Sequence, residues 1–323
     1  MVGSVNVVRG FSHAHVYQPS SRACNQCPPT STTRGCPNRK AFLNPSAIAS
    51  NNPFSCSVSV LAMAAPGNRT ATGAKGEEEP RRVVVTNKHG EKLVGLLHET
   101  GSKEIVVLCH GFRSRKENAV MVTAANALET KGISAFRFDF AGNGESEGTF
   151  QYGNYYREAD DLRAIIEHFK GANRVTKAIL GHSKGGNVVL LYASKFQDIE
   201  VVVNVSGRYN LNRGIEERLG KDYMETVEKV GFLDVESRQG VYRVTKGSLM
   251  DRLSTDMHEA CLKIDKSCRV LTVHGTADEI IPVEDAQRFA ELIPSHELHI
   301  IEGANHSYTS HLAELASIIT NFI

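Results

Sequence analysis

The residues with the clearest chemical potential lie in Gly181-His182-Ser183-Lys184-Gly185-Gly186, a G-x-S-x-G pattern. It follows the apolar run Lys177 to Leu180 and opens a stretch of helical periodicity at Lys184. A serine on a sharp strand-to-helix turn is pushed out of the fold. The residues two before and two after it must be small for the chain to pass closely, and Gly181 and Gly185 meet that need. The helix beginning at Lys184 aims its first N–H groups at the place where negative charge develops in acyl transfer. Serine is a poor nucleophile at neutral pH and needs a base, which in turn needs an acid to orient it. Asp278 in His274-Gly275-Thr276-Ala277-Asp278 and His306 in Gly303-Ala304-Asn305-His306 each lie just past an apolar run, in the order serine, acid, histidine.

With 13 histidines and 36 acids, rival trios exist. His311 falls in the last expected helix, His299 inside a strand and His274 before its loop, so packing or surface roles are expected of all three. Among rival acids, Glu302 and Glu279 are weighed, Glu279 adjoining Asp278 as a possible substitute, and Asp285 is read as a solvated helix position; Asp278 is taken as the acid. Acyl transfer also requires an oxyanion hole. One N–H is expected from Lys184, the residue after the nucleophile. A second is expected from Phe112 in Cys109-His110-Gly111-Phe112-Arg113, with His110 holding that loop by a structural hydrogen bond. The loop Asp139 to Ser146 has a glycine pattern that fails the spacing of a dinucleotide fingerprint and reads as a tight structural loop.

The elements that must position these groups follow a βα rhythm. Arg82 to Thr86 and Lys92 to Leu97, joined by the polar turn Asn87-Lys88-His89-Gly90, predict an antiparallel hairpin. Ile105 to Cys109, Ser134 to Phe138, Lys177 to Leu180, Val201 to Val205, Val270 to Val273 and Leu298 to Ile301 predict parallel strands buried on both faces. Helices are expected over Glu117 to Glu129, Glu158 to Phe169, Lys184 to Phe196, Val283 to Leu292 and His311 to Phe322. The fold class is therefore α/β, an eight-stranded, mostly parallel sheet flanked by helices. Loops at the carboxyl ends of its strands gather Ser183, Asp278 and His306. Residues 207–266 form a long charge-rich insertion, expected to be a short helical lid over that edge.

The chain of 323 residues is 41% apolar and 23% charged with a formal net charge of +1, so no electrostatic steering towards nucleic acid or an anionic surface is expected and a small-molecule partner is the default. No apolar run approaches the roughly 18 residues of a membrane-spanning helix. Residues 1–76 contain no Asp or Glu yet carry Arg9, Arg22, Arg34, Arg39, Lys40, Arg69 and Lys75 among many hydroxyl residues. That composition reads as a chloroplast transit peptide and linker cleaved near Ala62, leaving 77–323 as the α/β domain. Cys24, Cys27, Cys36 and Cys56 lie in this leader, where the CxxC spacing of Cys24 and Cys27 is read as incidental. Cys109, Cys261 and Cys268 are expected to be free thiols in a reducing compartment.

On these residues the sequence resembles the α/β-hydrolase family, in particular its small-lid, serine aminopeptidase-like branch, which includes bacterial cinnamoyl and feruloyl esterases and many plant hydrolases. The likeness spans Arg82 to Ile323 through five ordered blocks: His110-Gly111-Phe112, Asp139 to Ser146, Gly181 to Gly186, Gly275 to Asp278, and Asn305-His306. The resemblance implies hydrolysis of a small-molecule carboxylic ester through an acyl-enzyme, with no metal or organic cofactor. Acyltransfer or thioester cleavage would use the same groups, and a non-catalytic ligand-binding protein could share the fold.

Overall fold

The computed structural model describes residues 79–323; the expected leader, its cysteines and its cleavage position lie outside the described residues. The chain opens with β1 (Arg81–Thr86) and β2 (Lys92–His98), then alternates β3 (Glu104–Cys109), α1 (Ala119–Thr130), β4 (Ser134–Phe138), α2 (Tyr155–Gly171), β5 (Val175–His182), α3 (Lys184–Phe196) and β6 (Val201–Val205). The insertion then supplies α4 (Ile215–Leu219), α5 (Tyr223–Val230), β7 (Phe232–Val235), β8 (Tyr242–Thr245), α6 (Lys246–Ser254) and α7 (Met257–Leu262). The chain closes with β9 (Arg269–Gly275), α8 (Glu284–Leu292), β10 (His296–Ile301) and α9 (Leu312–Phe322).

Eight strands form one sheet in the order β1-β2-β4-β3-β5-β6-β9-β10. Only β2 runs against its neighbours; every pair from β4 to β10 is parallel. Alternation along β3 shows why these strands read as unbroken apolar runs. Ile105, Val107 and Cys109 enter the core beneath α2, α3, α7 and α8, while Val106 and Leu108 enter the one beneath α1 and α9. Both faces are covered, so no polar alternation survives. Cys109, Cys261 and Cys268 are free and buried.

The insertion departs from an all-helical expectation. Between its helices β7 and β8 pair as an antiparallel hairpin, with Asp234 opposite Arg243. Four-residue strands with exposed charged positions give too short and too polar a pattern to separate from helix. A third core joins Tyr152, Ile215, Leu219, Val227, Tyr242, Val244 and Leu249, with Phe112 and Phe150 packed against it.

Two buried polar ties fasten the loop after β3 to the loop after β4. Lys116 Nζ donates to Asp139 Oδ2 at 2.7 Å and to Glu145 Oε1 at 2.6 Å, and the Lys116 N–H donates to Asp139 Oδ1 at 2.7 Å. The Phe140 N–H donates to His110 Nε2 at 3.1 Å, so the other ring nitrogen, Nδ1, carries the proton donated to the Gly111 carbonyl at 2.8 Å. The side chain of Lys116 is 2% exposed and that of Asp139 is 0% exposed, so neither charge can fall back on water. Lys116→Met leaves the Asp139 charge buried without its cation, and the expected loss is about 3 to 5 kcal/mol of unfolding free energy. Urea unfolding checks this; a loss below about 1 kcal/mol, the size of an exposed pair, would refute it.

Candidate active site

Ser183 sits between β5 and α3 at φ 56° and ψ −118°, a backbone region that costs a non-glycine residue about 1 to 3 kcal/mol. The strain is held by two bonds, Ser183 N–H to the Val205 carbonyl at 2.8 Å and Gly186 N–H to the Ser183 carbonyl at 2.9 Å. The flanking glycines are required by close approach. A Cβ on Gly181 would lie 2.0 Å from the Gly185 carbonyl oxygen, and one on Gly185 would lie 2.3 Å from that of Cys109. The serine side chain is half-buried at the sheet's carboxyl edge.

Gly111 packs directly on this turn, since a Cβ there would stand 3.1 Å from Ser183 Cβ and 3.6 Å from its Oγ. The loop bearing Phe112 therefore lies against the serine. The backbone N–H groups of Phe112 and Lys184 donate to no other described residue. Two free donors flanking a strained serine can stabilise an oxyanion.

Asp278 and His306 come together in the loops after β9 and β10. His306 Nδ1 lies 2.7 Å from Asp278 Oδ2, and because a carboxylate only accepts, that nitrogen is the donor and Nε2 is left as the basic lone pair. Asp278 Oδ1 accepts the N–H groups of Ile280 at 2.9 Å and Ile281 at 2.8 Å, which fixes the plane of the carboxylate. Burial pushes this acid up. Hydrogen bonds from His274 and His306, together with the His306 charge, outweigh that and hold it far below its ordinary range. His182, the residue before Ser183, donates from Nε2 to the His306 carbonyl at 2.8 Å, and the two rings stand 5.0 Å apart. The imidazole of His306 is thereby tied to the turn that carries the serine. Ser183 Oγ makes no hydrogen bond to His306 or to any other described residue; such contacts in unliganded sites often tighten only when substrate is bound.

The rival acids resolve by position. Glu279 Oε2 accepts the backbone N–H of His306 at 3.2 Å and so engages the main chain of the histidine. Asp285, expected to be solvated, is 4% exposed and accepts the Tyr209 N–H at 2.9 Å. The expectation fails because that partner belongs to the insertion, out of reach of any local pattern. Three residues at the site escaped sequence reasoning. His274, fully buried in β9, places Nε2 3.3 Å from Asp278 Oδ2 and 3.0 Å from the Ile281 carbonyl. Tyr308 Oη donates to the Val273 carbonyl at 3.1 Å and lies 2.8 Å from Ser206 Oγ, pinning the loop of His306. The third is His182. The i, i+4 spacing of His274 and Asp278 across a strand end is the one signal that was available.

Among the described residues no cluster of His, Cys, Asp and Glu is arranged to hold a metal ion, and no helix is long and apolar enough to cross a membrane. A cavity of about 780 Å³ lined by Arg113, Asn143, Phe150 and Tyr242 borders the β7–β8 hairpin and includes none of Ser183, Asp278 and His306.

Burial lowers His110 from 6.5 to about 4; burial and the adjacent His306 charge lower His182 from 6.5 to about 3. Both stay neutral in the fold at pH values where an unfolded chain protonates them. Their contribution to stability is full above pH 6.5 and is lost as pH falls through 6.5 towards about 4. Thermal melts across that window are expected to show a falling Tm, with a shallower fall in His182→Gln, which keeps the donor to His306. Parallel profiles for the two proteins would contradict the assignment to His182.

The family model for serine aminopeptidases of the S33 group matches residues 100–260, a span that includes Ser183 and ends before Asp278. The structure of Est1E from Butyrivibrio proteoclasticus with ferulic acid bound superposes with a TM-score of 0.61 at 21% identity, covering 74% of this chain and 97% of that one. The chain has the α/β-hydrolase fold. Relatives of this chain by sequence are distant. An uncharacterised protein of Saccharomyces cerevisiae is 24% identical over 253 residues, 71% of this chain and 75% of the yeast protein. The mitochondrial palmitoyl-protein thioesterase ABHD10 of Bos taurus is 21% identical over 209 residues, 62% of this chain and 65% of the bovine one. An uncharacterised Salmonella typhimurium protein is 27% identical over 179 residues, of which the match spans little more than half, 56%.

Proposed function

We propose that this chain is an α/β-hydrolase, a serine esterase that cleaves carboxylic esters through an acyl-enzyme, with Ser183 as nucleophile, His306 as general base and Asp278 as the acid that orients it. The observation that carries the reading is the Asp278–His306 contact at 2.7 Å, with the His306 carbonyl fastened to the residue preceding a strained serine. His306 Nε2 takes the proton of Ser183 Oγ as the oxygen attacks the ester carbonyl, and the N–H groups of Phe112 and Lys184 receive the oxyanion. The same nitrogen returns the proton to the departing alcohol. Water, deprotonated in turn by His306, then releases the acid and restores Ser183.

Thioester cleavage is the second reading, favoured by the likeness to the bovine palmitoyl-protein thioesterase, and it requires no different residue. A panel pairing p-nitrophenyl butyrate with butyryl thioesters tests both. Turnover of the oxygen ester above the rate of heat-denatured protein supports the esterase; turnover of the thioester alone replaces it by a thioesterase; turnover of neither refutes both. As part of the same proposal, the acid-free composition of residues 1–76 supports delivery to a plastid. Fusion of those residues to a fluorescent protein in plant cells tests that, cytosolic fluorescence being the contrary result.

A further inference from the structure

Three guanidinium groups gather where the insertion meets Phe112 and Tyr152. Arg218 in α4 stacks its Cζ 4.8 Å above the Phe112 ring, and the ring of Tyr152 stands 5.7 Å from that of Phe112. Arg252 in α6 places its Cζ 5.2 Å from the Tyr152 ring and donates from Nη1 to Tyr155 Oη at 2.6 Å. Arg208, which follows β6, completes the group. Burial lowers its pKa and the charges of Arg252 and Arg218 act in the same direction, so the three cations feel one another. Phe112 links this cluster to the reaction centre, because its own N–H is the donor proposed for the oxyanion.

None of these arginines forms an ion pair among the described residues, and the acids nearby each accept a hydrogen bond from another donor, Glu158 keeping one oxygen, Oε2, without a partner. Glu158 takes Lys184 Nζ at 2.6 Å, Asp285 takes the Tyr209 N–H at 2.9 Å, and Asp251 takes the Tyr155 N–H at 3.3 Å. Arg208 spends its donors on the carbonyls of Arg213 and Ile280, and Arg218 makes no side-chain hydrogen bond to any described residue. Stacking on a ring face leaves all of the in-plane N–H groups of Arg218 free. Arg113 provides the contrast, since it is consumed by Ser237 Oγ and by the carbonyls of Gln239 and Gly240.

Two buried donors among these residues also lack partners. Tyr152 Oη, on a side chain that is 0% exposed, and Arg252 Nε, on one that is 6% exposed, make no hydrogen bond. Burying a hydroxyl and a guanidinium N–H unsatisfied, beside cations that repel, is costly unless an anion is received there. We propose that Arg218, Arg252 and Tyr152 form an oxyanion subsite, which holds a carboxylate or phosphate carried by the ester substrate while Ser183 attacks its carbonyl. This rests on the esterase reading and narrows its substrate class to anionic esters. Phe112, whose ring meets Arg218 and Tyr152 and whose N–H is the donor proposed for the oxyanion, connects the subsite to the scissile bond, and a short dicarboxylic half-ester is the probe that tests that connection.

The test compares p-nitrophenyl butyrate with mono-p-nitrophenyl glutarate, which share a leaving group and differ in the terminal carboxylate, on the full-length chain. The expected kcat/KM is about tenfold higher for the glutarate half-ester, and Arg218→Ala and Tyr152→Phe each reduce that ratio through KM, Arg218→Ala by about tenfold. Inhibition of butyrate ester hydrolysis by glutarate or by inorganic phosphate identifies which oxyanion is preferred. A ratio at or below one with inhibition by neither anion overturns the subsite and leaves the esterase standing. If neither ester is turned over, the melting temperature still decides. A rise with glutarate or phosphate that is lost in Arg218→Ala upholds the subsite and sinks the esterase, and no rise sinks both. Arg218 is exposed on a short helix, so its replacement is expected to fold.

Discussion

Ser183→Ala is expected to lower kcat/KM for p-nitrophenyl butyrate by about 10⁶-fold, the loss that follows when a serine nucleophile is removed from an intact site. The variant should fold normally. Alanine keeps the Cβ that stands against Gly111, and the bonds holding the turn are made by main-chain atoms of residues 183, 186 and 205. What disappears is the side-chain oxygen at the mouth of α3 on which the proposed mechanism depends. A small residual rate is expected from the donors of Phe112 and Lys184, which can still polarise a bound carbonyl for attack by water. KM should change little, because the hydroxyl acts in the transition state. A loss of less than tenfold would remove Ser183 from the chemistry.

Asp278→Asn is expected to cost about 10⁴-fold in kcat, for a reason written into its hydrogen bonds. The carboxylate meets two backbone donors on one side, Ile280 and Ile281, and two imidazoles on the other, His274 and His306. An asparagine must turn its carbonyl to the two N–H groups, which sends its NH₂ towards His306 Nδ1. That nitrogen then has to accept, so the proton moves to Nε2, which is the atom that should receive one from Ser183. Volume and fold are preserved while the base is disabled. KM should stay near that of the parent while unfolding free energy falls, because the fold stabilises the Asp278 charge, and equal kcat for the two proteins would show that Asp278 does not set the tautomer.

The sheet was legible because burial on both faces strips its strands of polar alternation, as Ile105 to Cys109 illustrates with side chains divided between two cores. The turn at Ser183 was legible for another reason. A close approach of main chains near 2 Å for any added Cβ leaves glycine as the sole choice at positions 181 and 185, and that choice is visible in the sequence. The insertion was not, since the four-residue strands Phe232–Val235 and Tyr242–Thr245 carry an exposed ion pair where a core pattern would be needed. Asp285 was misread as solvated, and His274, expected to pack and found buried, was not expected to reach the acid. Each lies in a run whose local periodicity suits packing or solvent, and each acquires its role from a partner the fold brings in, the Tyr209 N–H for one and the Asp278 carboxylate for the other. Local pattern records burial well and specific polar partners poorly.

Covalent labelling by a fluorophosphonate, followed by mass mapping of the modified peptide, tests the central claim most directly. The probe reacts only with a serine that a neighbouring base has activated. The account predicts a single adduct on Ser183 in the parent protein, none in Ser183→Ala, and strongly slowed labelling in His306→Ala. An adduct on any other serine, or equal labelling of the parent and Ser183→Ala, would contradict it.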